Sequence, residues 1–425
     1  MRVVSLLCLL VASASAASVA KERFEGHAVH KVQFKSEAEV TAFKAFTKEM
    51  RPDFWRENKA TGSYDIMVKP EHQEQMLSYL AEKKIESTVK IADLSVQIRS
   101  EEEELRQRTV FNAGDHPSRM TTNQFHDLDE INAYIDSLVA AYPTSVTKKN
   151  IGQTFEKRNI YGVVISNAIN TGLPKVMVDG AIHAREWLGG ATMVYIMNEL
   201  TANAQNYQKL LSGAEVWIIP VLNPDGYKYT WEKNRMWRKT RSTRTGNCVG
   251  VDPNRNWDYY WNTAGASADP CDETYDGPSP FSESEPKAMG DLLLNAYKAG
   301  APFVTYFDIH TYSELYMYSF GIADVTLKNV GEVKALAAKA VKQIDSTNGE
   351  RFQFGSIVDI IYPASGSSID YAAGVAGVRY PYAMELRPNE NADDGFIIPA
   401  SQILPGVKEA WAGIYTVFKT VTNTA

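Results

Sequence analysis

Of the seven histidines in this chain, two stand where they could share a metal ion with a carboxylate. His183 and Glu186 lie in Gly180-Ala181-Ile182-His183-Ala184-Arg185-Glu186-Trp187, and far downstream comes His310-Thr311-Tyr312. Two histidines and one acid are a ligand set for catalytic zinc that leaves the fourth position to water. The i, i+3 spacing on a turn lets His183 and Glu186 converge on one ion. Metal binding needs neutral imidazoles, so activity is expected to fall as they protonate. Alone, His-x-x-Glu is weak, and a hydrogen-bonded histidine beside a loop is its commoner explanation; the distant His310 is what favours a metal. The His-Glu-x-x-His helix, another way of pairing two histidines on zinc, is absent.

Both clusters follow strand-like segments, Lys175–Asp179 before the first and Phe303–Ile309 before the second. Apolar spacing around them predicts helices over Asp127–Tyr142, Leu188–Ala202, Gly331–Ser346 and Val407–Val421, with a buried strand over Ala214–Val221. This alternation implies one large α/β domain with helices on both faces of a sheet. Sites in such sheets form beyond the carboxyl ends of strands, where both clusters fall. Upstream, His27–Phe34 alternates like a strand, and Ser36–Met50 has helical spacing with Ser36 as its N-cap. Strand-like runs follow at Asp53–Arg56 and Tyr64–Val68, then a helix over Glu71–Lys84 and a strand over Ser87–Leu94. The order β-α-β-β-α-β is ferredoxin-like. Glu101–Glu104, with Arg106, Arg108 and Arg119 after it, reads as a solvated helix entering an exposed linker. Arg108 and Arg119 are candidate cut points for a trypsin-like protease.

Composition narrows the class. The 425 residues are 44% hydrophobic and 22% charged, as in ordinary globular proteins. A balance of 44 Lys and Arg against 51 Asp and Glu gives a net charge of −7, without the basic footprint of a nucleic-acid binder. No segment is long and apolar enough to suggest a membrane span. Met1-Arg2, the apolar run Val3–Ala12 and the small residues Ala14-Ser15-Ala16 form a secretory leader, so an extracellular location is expected. Loss of the leader removes Cys8 and leaves Cys248 and Cys271, expected as one disulfide in an oxidising compartment.

Further motifs fall in order along the chain: Trp237-Arg238-Lys239-Thr240-Arg241, then Val249-Gly250-Val251-Asp252-Pro253-Asn254-Arg255-Asn256-Trp257 directly after Cys248. Ile360-Ile361-Tyr362-Pro363-Ala364-Ser365-Gly366 and Met384-Glu385-Leu386-Arg387 follow. With these the chain resembles a secreted zinc metallocarboxypeptidase of the digestive procarboxypeptidase A/B type, over nearly its whole length. The resemblance implies a mixed eight-stranded sheet with helices on both faces, preceded by an α+β ferredoxin-like activation domain. Its implied limits are a signal peptide at 1–16, an activation domain at 17–100, an activation linker at 101–119 and a zinc carboxypeptidase domain at 120–425. Matched position by position, His183, Glu186 and His310 hold one Zn2+, and Asp252 orients a ligand imidazole. Glu385 is the general base and proton shuttle, and Arg238 stabilises the oxyanion. Asn254, Arg255 and Tyr362 clamp the free C-terminal carboxylate, a guanidinium fork being suited to bidentate recognition. Arg185, Tyr312 and Phe396 match more peripheral subsites.

The family position whose acid selects Lys or Arg ends is matched by Ile369, and Ala364, Ile357 and Ala383 match other pocket positions. An apolar floor disfavours an unpaired cation by several kcal/mol. Cleavage after the A pattern, at aliphatic and aromatic C-terminal residues, is therefore expected, although Asp370 and Asp359 stand close in sequence. The expected partners are peptides with a free C-terminus and an activating trypsin-like protease, with the chain a monomer. The activation domain is expected to block the cleft until the linker is cut. A binding protein that has lost catalysis would lack the base or the oxyanion cation, and both are present.

Overall fold

The computed structural model describes residues 21–108, 110, 119–349 and 351–424; the leader at 1–16 lies outside them. The first unit holds strands β1 (Ala28–Gln33), β2 (Asp53–Asn58), β3 (Ser63–Val68) and β4 (Glu86–Ile91), with helices α1 (Glu37–Thr47) and α2 (Pro70–Glu82). Its sheet runs β2-β3-β1-β4, antiparallel throughout. This is the expected ferredoxin-like order. The Ser36 hydroxyl accepts from the backbone N–H of Glu39 as a true N-cap. Val32, Phe43, Ile66, Met76 and Leu80 pack between this sheet and its helices.

Helix α3 (Leu94–Gln107) departs from expectation in two ways. It begins within the segment read as a strand, because Asp93 caps it and strand β4 ends at Ile91. Nor is it simply solvated. Glu101 is buried and paired with Arg235, so the boundary placed at 100/101 falls inside a docked helix.

The second unit contains β5 (Val146–Gln153), β6 (Asn159–Ile165), β7 (Lys175–Gly180), β8 (Glu215–Ile219), β9 (Phe303–Thr311), β10 (Leu315–Tyr318), β11 (Gln353–Ser356) and β12 (Tyr380–Leu386). They form one mixed sheet in the order β11-β10-β12-β9-β7-β8-β6-β5. Its helices are α4 (Leu128–Ala141), α5 (Trp187–Thr201), α6 (Gln208–Gly213), α7 (Pro224–Glu232), α8 (Ser284–Lys298), α9 (Val330–Asn348), α10 (Ile357–Ile360), α11 (Ser368–Gly374) and α12 (Ala400–Val421). Alternate strand residues feed two cores. Val176, Val178, Phe307 and Met384 face α4, α5, α9 and α12, while Met177, Tyr306 and Ala383 face α8 and α11. Helices therefore cover both faces. Helix α12 starts seven residues before the predicted Val407, since Pro405 removes one helical hydrogen bond but buried Ile403, Val407 and Trp411 keep the segment on the sheet.

Candidate metal centre and substrate cleft

The parallel centre of the sheet builds the site. Strand β7 ends at Gly180, the chain turns through Ala181–Glu186, and α5 starts at Trp187 with Glu186 at its N-cap. Ala181 adopts φ +52° in that turn, and Asn223 Nδ2 donates to the carbonyls of Ile182 and Lys239, tying the turn to the Arg238 segment. Neighbouring β9 carries His310, and β12 sets Glu385 beside it in register. His183, Glu186 and His310 are all buried.

Their donor atoms converge. Nδ1 of His183 lies 2.9 Å from Glu186 Oε1, Nδ1 of His310 lies 3.0 Å from Oε2, and the two Nδ1 atoms are 3.1 Å apart. Donors about 2.0–2.1 Å from a tetrahedral zinc are separated by about 3.3 Å, so these three groups have the spacing of one face of such a site. The imidazoles are braced from behind: His183 Nε2 is 3.1 Å from Asp252 Oδ1, and His310 Nε2 is 3.1 Å from Asp308 Oδ2. Electrostatics agree. Burial opposes a charged His310, yet the Asp308 and Glu186 carboxylates raise its pKa well above the usual value. Burial likewise disfavours ionised Glu186, but His183 and His310 hold its carboxyl below the ordinary range. The pocket favours positive charge at its centre, and two imidazoles with a carboxylate suit zinc.

Around the centre, Arg238 Nη2 donates to Asp252 Oδ2 at 2.8 Å and Nη1 lies 3.2 Å from His183 Nδ1. Burial notwithstanding, Arg238, His183 and Arg255 hold Asp252 well below the carboxylate range. Glu385 faces the same cavity with Oε2 buried and unpartnered among the described residues. Burial first, then the nearby Glu186 and Asp308 charges, raise its pKa, against the pull of His310 and Arg238. Arg255 Nη2 donates to Tyr362 Oη at 2.8 Å, while its Nε and Nη1 are fixed on the carbonyls of Gly265 and Asn254. The amide oxygen of Asn254 accepts from Ser368 N at 2.8 Å.

The cavity lining includes the apolar Leu315, Met317, Ile357, Ala364, Ile369 and Ala383, together with the hydroxyl residues Ser367 and Ser368. Neither doubtful acid enters it. Asp370 turns to accept from Gly321 N at 2.9 Å, and Asp359 is exposed and bonded to Ser356.

The outer residues sit under the first unit. Arg185, almost fully buried, pairs through both Nη atoms with the Asp53 carboxylate of β2. Trp55 packs on Phe396 with ring centroids 5.1 Å apart, and Tyr312 Oη donates to Asp65 at 2.8 Å. Arg235 binds Glu101 and the carbonyls of Arg185 and Phe396. Phe54, Trp55, Arg56 and Glu57 line the cavity mouth together with Glu273 and Thr274. These contacts of Asp53 and Asp65, like the Asp308 brace, were not foreseen from sequence. Only Asp308 carried a signal, an Asp-x-His pair along one strand face.

Cys248 and Cys271 form a disulfide. Arg119 is exposed. Arg108 is not: its side chain is bound by Glu130 and Asp127 and lies over the Trp231 ring.

A family profile described as zinc carboxypeptidase matches residues 131–413, and one described as carboxypeptidase activation peptide matches residues 30–101. Carboxypeptidase B of Astacus astacus is 39% identical over 308 residues, covering 72% of this chain and 99% of that protein. Carboxypeptidase A1 of Rattus norvegicus is 36% identical over 408 residues, covering 93% and 94%. Among solved structures, carboxypeptidase A from Helicoverpa armigera superposes with a TM-score of 0.87 at 27% identity, over 95% of this chain and 99% of that one.

Proposed function

The chain belongs to the zinc carboxypeptidase family, as the proenzyme of a zinc-dependent metallocarboxypeptidase, and on that premise we propose that it removes aliphatic and aromatic C-terminal residues, with Glu385 as general base. The apolar pocket floored by Ile369 carries the preference: burying a Lys or Arg side chain there without a partner costs several kcal/mol. His183, Glu186 and His310 would hold the zinc, which when bound would supply Lewis acidity toward water and the scissile carbonyl. Arg255 and Tyr362, already joined, present a fork and a hydroxyl to the substrate's terminal carboxylate, with Asn254 beside them. That clamp confines cleavage to the last peptide bond. Arg238 faces the developing oxyanion as a fixed cation. Glu385 Oε2, unpartnered in the cavity, takes a proton from the attacking water and returns it to the leaving amine.

Latency follows from the first unit, whose Asp53, Asp65 and Trp55 occupy Arg185, Tyr312 and Phe396. The leader at 1–16 supports secretion. The exposure of Arg119 against the sheltered Arg108 supports activation by a trypsin-like cut at Arg119, and the product is taken as a monomer. The test is hydrolysis of blocked dipeptides ending in Phe, Leu, Lys or Arg by the trypsin-treated protein. Phe or Leu turned over fastest supports the reading; preference for Lys or Arg rejects it.

A further inference from the structure

We propose that Asp308 is a positioning residue of the metal centre: it locks the imidazole of His310 and ties it to the clamp residue Asn254 and the pocket residue Ser368. The inference rests on the reading of His183, Glu186 and His310 as ligands.

Asp308 and His310 are two apart on β9, so both side chains leave the same face of the strand. The Nδ1 of His310 points at Glu186 and His183, which leaves Nε2 on the far side. An imidazole that binds metal through Nδ1 carries its proton on Nε2 and needs an acceptor there. Two polar atoms among the described residues lie close to Nε2: Asp308 Oδ2 at 3.1 Å and Asn254 Nδ2 at 3.2 Å. Asn254 cannot accept, since its oxygen is engaged by Ser368 N and its amide nitrogen points inward. The acceptor is therefore Asp308.

That oxygen also gathers Asn254 Nδ2 at 3.3 Å and the Ser368 hydroxyl. One fully buried carboxylate oxygen thus holds the ligand, the residue preceding Arg255 and the residue preceding Ile369. Asp252 does the corresponding work at His183. Each imidazole has its own carboxylate and both carboxylates bond Asn254, Asp252 through the backbone N–H at 2.9 Å, whereas the Ser368 hydroxyl donates to Asp308.

The experiment measures zinc affinity of the full-length proenzyme by chelator competition, with wild type, Asp308→Asn and Ser368→Ala. Asp308→Asn keeps volume but removes the charge, and zinc affinity is expected to fall about 10–100-fold. Ser368→Ala leaves the carboxylate but removes one of its donors, and a loss of at least about threefold is expected. A merely structural role would lower the melting temperature of the zinc-free and zinc-loaded forms alike and leave the zinc dissociation constant unchanged. An Asp308→Asn constant within threefold of wild type overturns the proposal. If that variant does not fold, Ser368→Ala decides by the same threefold limit. Wild type without stoichiometric zinc would instead remove the ligand reading, and this proposal with it.

Discussion

Replacing Asp53 by Asn tests how the first unit keeps the proenzyme latent. Both Nη atoms of Arg185 are bonded to the Asp53 carboxylate, and Arg185 is only 1% exposed. Asn preserves shape but leaves a buried guanidinium without its counter-ion in the closed state. In the open state water solvates Arg185 whatever stands at position 53. Breaking a buried pair from one side costs about 3–5 kcal/mol. Since 1.4 kcal/mol is a factor of ten, the open fraction should rise by about 10²- to 4 × 10³-fold. The assay is the hydrolysis rate of the uncut chain, expressed relative to the same sample after complete trypsin treatment. The substitution lies in the segment that activation removes, so both samples yield the same mature enzyme and any difference belongs to the closed state. The basal rate should climb by two orders of magnitude or reach the activated ceiling. A change below threefold, in a variant that activates normally, would refute the assignment of Asp53 as a principal latch.

Replacing Glu385 by Gln should lower kcat by at least about 10²–10⁴-fold while zinc content, measured by atomic absorption, stays at the wild-type level. Ile369→Asp places an anion on the pocket floor, and the ratio of kcat/KM for Lys over Phe ends should rise about 10²-fold, equivalent to ~3 kcal/mol. Glu285, in the first turn of α8, has both carboxylate oxygens buried without a hydrogen-bond partner among the described residues, and burial pushes it up to about 8. A raised acid pKa means the folded state holds the proton longer, so this contribution is intact below the unfolded value near 4.5 and is lost as pH rises through 8. Glu285→Gln should accordingly flatten the fall in urea-denaturation stability between pH 5 and 7.5 by about 3 kcal/mol; an unchanged slope would show that the carboxyl is solvated.

The sequence made the middle of the sheet legible and left its flanks obscure. β7 and β9 are mostly apolar runs ending in polar clusters, which is how buried parallel strands look. β12 escapes such a reading because Pro381 interrupts it, although it carries Glu385; that residue was reached only through its motif. β5 is half polar at a sheet edge, and β10 and β11 are four residues each, too short for a period to show. The candidate metal ligands His183, Glu186 and His310 were visible because their chemistry is unusual at strand ends. The partners of Arg185, Tyr312 and Arg108 were not, because Asp53, Asp65 and Glu130 are ordinary acids until folding buries them beside a cation. The sheltering of Arg108 belongs to tertiary packing, not to the local charge pattern that suggested exposure.

Anomalous diffraction on either side of the zinc edge, from zinc-loaded crystals, decides whether His183, Glu186 and His310 together grip zinc. One peak per chain is expected, bounded by the Nδ1 atoms of both histidines and the Glu186 carboxylate. A map without density there, or with its peak on other residues, would contradict it.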